Sequence, residues 1–174
     1  MFSKGDLFYS RRIGGSPTMN AELLSDESFS ENPAKVNLLN ALKISGRTKS
    51  GLGVGVLNAV TEKTEAIITN NLTGATRKAT IEPLANYNAL VLDQRFGTNS
   101  SVSFVNTNVT RNGSGRDANV SAVLFDLNTK KNTYNLSGDY KFSAVNETTS
   151  DTKKGYTSRL NFGETSGKFQ YGVG

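Results

Sequence analysis

Residues 133 to 144, TYNLSGDYKFSA, put Tyr134, Leu136, Tyr140, Phe142 and Ala144 at even positions together with Gly138. Thr133, Asn135, Ser137, Asp139, Lys141 and Ser143 fill the odd ones. Successive side chains of a strand point to opposite faces, so this is a strand with one apolar and one polar side; a helical period of 3.6 would mix the two sets. The period of two recurs in GYTSRLNF, with Tyr156, Leu160 and Phe162 against Thr157, Arg159 and Asn161, and again in KFQYGVG at 168–174. Segments at about 7–13, 36–46, 51–61, 87–96, 101–110 and 118–127 continue it with looser parity. The expected fold is all-β, an antiparallel meander of about nine strands.

One segment invites a different interpretation. In GLGVGV, residues 51–56, three glycines alternate with Leu52, Val54 and Val56. A phosphate loop needs a helix to follow it and present its N-terminus, and no helical pattern follows here. The glycines instead form the bare face of a strand, suited to close approach by a neighbouring element or to a crowded interior.

The links between strands carry the architecture. GRTKSG at 46–51, GTNS at 97–100, NTKKN at 128–132 and GETSG at 163–167 are short and built from turn residues. Between them come longer links at 14–35 and 62–85, then RNGSGRD and NETTSDTKK. Tight turns at one end and longer loops at the other, joined by long alternating strands, describe an outer-membrane-type up-and-down β-barrel. Tyr87, Phe96, Tyr134, Phe142, Tyr156 and Phe162 lie toward strand ends, as an interfacial girdle requires, although Tyr87 and Phe96 have opposite parity.

Composition removes most other classes. There is no cysteine and no histidine, which excludes disulfides, thiolate and imidazole catalysis and zinc sites of the usual kind; no enzyme activity, cofactor or metal is expected. No apolar run nears the roughly 20 residues of a spanning helix, and FSKGDLFYSRR after Met1 lacks the layout of a signal peptide. The net charge of +5 is scattered rather than massed on one element, so nucleic acid is not an expected partner. RNGSGRD reads as a turn, the carboxylates Asp26, Glu27 and Glu31 as a solvated loop, and Asn-x-Ser/Thr triplets such as Asn135 to Ser137 as polar wall.

GDLFYSRRIGGSP at 5–17, LNALKISGRTKSGLGVGVLNAVT and EPLANYNALVLDQRF together resemble an uncharacterised family of Gram-negative outer-membrane proteins. In that family a module similar to family 9 carbohydrate-binding modules precedes a large C-terminal β-barrel domain of unknown function. The resemblance covers about residues 1–96 and implies that residues 1–174 are part of the barrel, with the N-terminal module and remaining strands missing. It also implies the cell outer membrane as location, outer-membrane lipid as partner, and carbohydrate as a partner through the missing module. The expected role is a pore wall or a membrane anchor for that module; the alternative is a soluble all-β polysaccharide-binding module. Tyr9, Arg11 and Arg12 are the candidate binding residues, since the adjacent arginines point to opposite faces of a strand, one toward the interior and one toward an interface, a plug or lipid phosphate; the alternative for the arginines is a structural ion pair inside the barrel.

Overall fold

The computed structural model describes residues 13–113, 115–147, 150–166 and 170–174. The expected strand at 7–13 and the candidates Tyr9, Arg11 and Arg12 therefore fall outside the described residues, except for Ile13. The described residues form strands and no helix. The strands are β1 (Glu27–Glu31), β2 (Leu38–Arg47), β3 (Leu52–Thr61), β4 (Thr64–Asn70), β5 (Thr76–Glu82), β6 (Ala85–Phe96), β7 (Ser100–Arg111), β8 (Asp117–Asn128), β9 (Tyr134–Glu147), β10 (Ser150–Glu164) and β11 (Tyr171–Val173).

Eight of them build one open, curved antiparallel sheet in the order β11-β10-β9-β8-β7-β6-β3-β2. Here the meander is as expected: β6 to β11 pair consecutively, and β2 pairs with β3. The turns after β2, β6 and β8 all lie at one end, the tight-turn end. Gly51, at φ +89°, shows why the first of these ends in glycine: a Cβ there would stand 2.6 Å from the Arg95 carbonyl oxygen, and the backbone is in the left-handed region.

Two expectations need correction. The long links at 14–35 and 62–85 are not plain loops. They contain β1, β4 and β5, which pair in a separate three-stranded sheet of order β1-β4-β5. The hairpin β4–β5 is inserted between β3 and β6, which nevertheless pair directly. Second, NETTSDTKK is not a long loop: β9 runs to Glu147 and β10 starts at Ser150, so polar residues prolong both strands. A strand that is polar on both faces has no alternation to reveal it.

A strap, residues 15–19 ahead of β1, is fixed by backbone hydrogen bonds to β5 and to the segment before β2. Met19 N–H donates to the Ile81 carbonyl, and Val36 N–H to that of Gly15. Ala66, Ile68 and Ile81 are buried. On the small sheet Glu27 forms an ion pair with Arg77 at 2.7 Å, correcting the solvated-loop expectation for this carboxylate. The Arg77 guanidinium, with the Leu24 N–H, holds the Glu27 carboxyl at about 2 from an ordinary 4.5. Its contribution to stability is complete above the unfolded-state value and disappears as the pH falls through about 2. The stability difference between wild type and Glu27→Gln is thus expected to be constant near neutrality, to narrow below the ordinary carboxylate range, and to close near the folded-state value. A pH-independent difference in acid unfolding curves would contradict it.

Candidate functional site: the two faces of the large sheet

Each face can be followed across the sheet by register. On one face Val54, Leu92, Phe104, Val123 and Tyr140 are successive partners on β3, β6, β7, β8 and β9. On the other, one residue along, the corresponding row is Gly53, Asp93, Ser103, Leu124 and Asp139, continued by Arg47 on β2 and Arg159 on β10. The apolar row is the exposed one. Tyr140 is 51% exposed and Val123 45%, whereas Asp93 is fully buried and Ser103 nearly so. Water-soluble sheets bury their apolar face; at this level the sheet exposes apolar side chains and buries Asp93 and Ser103, while the adjoining levels of the inward face are packed with Leu57, Val91, Val105 and Ala122.

The row on the inward face holds two ionic clusters, separated by Leu124. The Asp93 carboxylate accepts a hydrogen bond from Ser103 Oγ at 2.7 Å, pairs closely with Arg47 Nη2, and has Arg95 Nε at 3.6 Å. Arg47 Nη1 also donates to the Asp93 carbonyl at 3.2 Å and to that of Gly51 at 2.5 Å. Arg47 sits on β2 and Asp93 on β6, with β3 between them and Gly53 as the register partner of both. The absence of a side chain at 53 lets the guanidinium cross a strand to reach its carboxylate, which accounts for one glycine of GLGVGV. Farther along, Asp139 lies 3.5 Å from both Lys141 Nζ and Arg159 Nε.

The opposite end of this face is closed by a second cluster. Glu82, at the end of β5, is buried against Arg111 of β7, with Nε at 3.3 Å from Oε1. Thr18 of the strap donates to Glu82 through its N–H at 2.8 Å and through its hydroxyl. Arg111 also stands over the Tyr87 ring, its Cζ 6.0 Å from the centroid. Tyr87 and Ile13 pack on Leu57, Ala59 and Ala89. Tyr87 therefore leaves the expected girdle: β6 runs without a bulge from Ala85 to Phe96, so parity turns Tyr87 inward and Phe96 outward. Phe96, Tyr134, Phe142, Tyr156 and Phe162 remain exposed, with the Tyr134 and Phe162 rings stacked 6.0 Å apart at 9°.

Asn135 behaves as polar wall, donating to Asp126 at 2.7 Å and Asn128 at 3.0 Å. Among the described residues no group of His, Cys, Asp or Glu is placed to hold a metal ion. A recess of about 450 Å³ at the tight-turn end is lined by Lys49, Gly51, Arg95, Phe96 and Ser100, where Arg95 already faces Asp93. Asp93, Arg47, Glu82 and Arg111 were not singled out in sequence. The available signal was parity: Asp93 and Gly53 fall on the face opposite Val54 and Leu92.

No curated protein and no solved structure gives a significant match to the chain. A family profile does, along its whole length: residues 1–174 match the domain of unknown function DUF5916, and the chain belongs to that family.

Proposed function

We propose that this chain is a segment of an outer-membrane β-barrel, acting as a pore wall or as the membrane anchor of a carbohydrate-binding-like module. One observation carries the reading: the large sheet turns its apolar row outward and its ionic row inward. A lipid-facing wall requires that arrangement, because hydrocarbon replaces water on the outside. Strands of 10 to 15 residues in the main span are long enough to cross. The exposed aromatics toward strand ends fit an interfacial girdle. The ion pairs of Asp93 and Asp139 fit the interior side of the wall, where charge is tolerated.

The soluble polysaccharide-binding alternative needs Tyr134, Tyr140 and Phe142 in a protein core, and the structure leaves them 41%, 51% and 37% exposed. The reading is tested by expressing the full-length protein and separating membranes with and without detergent. Recovery in the membrane fraction, released only by detergent, is the expected result; recovery as a monodisperse soluble protein without detergent would contradict it.

A further inference from the structure

Toward the end opposite the tight turns, the outward face changes character at a row of amides. Asn58, Asn88, Asn108 and Asn119 come from the neighbouring strands β3, β6, β7 and β8 and are direct register partners. Asn86 and Asn106, two residues away on β6 and β7, share that face. Asn58 Nδ2 donates to Oδ1 of Asn86 at 2.7 Å and of Asn88 at 2.8 Å. Asn106 Nδ2 donates to Asn119 Oδ1 at 3.2 Å and to Ser121 Oγ at 2.9 Å. Asn108, in the middle of the row, makes no side-chain hydrogen bond with the described residues. By register the row continues through Ala144 on β9 to the exposed Lys154 on β10.

We propose that this asparagine ladder is a docking surface for the headgroups of a lipid bilayer and sets the depth at which the sheet sits. The inference rests on the lipid-facing reading of the same sheet. A primary amide has two N–H donors and an oxygen that accepts two bonds, and the Nδ2 groups of Asn86, Asn108 and Asn119 donate to none of the described residues. In hydrocarbon the remaining groups have no partner, which is costly. In the headgroup layer phosphate-ester oxygens accept the free N–H groups, water and hydroxyls donate to the free oxygens, and the Lys154 ammonium meets the phosphates. One level toward the tight turns Val56 and Leu90 stand beside Asn106 and Ser121, whose side chains bond each other; the next level, Val54, Leu92, Phe104 and Val123, is wholly apolar and fits the hydrocarbon. The boundary therefore falls inside the strands, well before they end.

The test uses the full-length protein in vesicles of phosphatidylcholine brominated either near the headgroup or near the chain ends, with single tryptophans introduced by Ala144→Trp and Tyr140→Trp. Ala144 shares the register level of the ladder, and Tyr140 lies four residues deeper in the apolar band. Tryptophan at 144 is expected to be quenched more by the shallow bromines and tryptophan at 140 more by the deep ones. The double substitution Asn88→Leu with Asn108→Leu is expected to shift the residue-144 signal toward the deep bromines. Stronger deep quenching at 144 in the unsubstituted ladder, or no shift with the leucines, would overturn the headgroup assignment while leaving the lipid-facing reading intact. No quenching at either position by either lipid would remove both.

Discussion

Val123→Arg is expected to cost the membrane-inserted protein about 2–4 kcal/mol, the range for a cation on the lipid face near the bilayer midplane. Val123 lies between Phe104 and Tyr140 in register, in the middle of the outward apolar rows. At a site this exposed, the same change in water is expected to move stability by no more than about 0.5 kcal/mol. The two environments thus predict different results for one substitution. Urea unfolding in lipid vesicles, together with membrane yield, reads the difference. An unchanged midpoint and unchanged membrane recovery would count against a hydrocarbon environment on this face.

The second large effect belongs to the other face. Asp93→Ala is expected to destabilise by about 3 kcal/mol, the lower end of the range for breaking a buried ion pair, since Arg47 keeps some access to solvent. The loss removes the carboxylate that Arg47 and Arg95 share and to which Ser103 Oγ donates. Asp93→Asn retains a Ser103 partner and should cost less, about 1–2 kcal/mol. Replacing both members, Asp93→Leu with Arg47→Met, should recover most of the loss, because removal of a whole buried pair is often close to neutral. Equal costs for Asp93→Ala and the double variant, measured by denaturant unfolding, would show that the pair is not the source of the effect.

The strands of the large sheet were legible wherever one face is apolar and the other polar. Residues 133–144 are the clearest case: their parity alone identifies Tyr140 and Phe142 as one face and Asp139 and Lys141 as the other, and the burial agrees. Legibility failed where alternation is absent. β1 is ESFSE, a short edge strand with polar residues at four of five positions, and β5 begins TRK. Both became strands through tertiary pairing with β4, which local sequence does not encode. The end of β9 and the start of β10 failed for the same reason.

The functional features followed the same division. That Arg47 crosses Gly53 to reach Asp93 depends on the β2–β3–β6 register, and β3 and β6 are separated in sequence by the β4–β5 hairpin. No local pattern places those three residues in one row. The asparagine ladder did leave a trace, since Asn86-x-Asn88 and Asn106-x-Asn108 repeat an amide at period two in neighbouring strands. Its alignment across four strands becomes visible only once the register is known.

In a lipid-facing wall, alternate residues of one strand face hydrocarbon and interior. The most direct measurement of that alternation compares Leu136→Trp with Ser137→Trp, each as a single tryptophan in the full-length protein, in vesicles containing chain-brominated lipid. These neighbours sit on β9 with Leu127 and Asp126 as their respective partners on β8. Strong quenching at 136 with little at 137 is the predicted result; quenching at neither position, or equal quenching at both, would contradict a wall with one face in hydrocarbon.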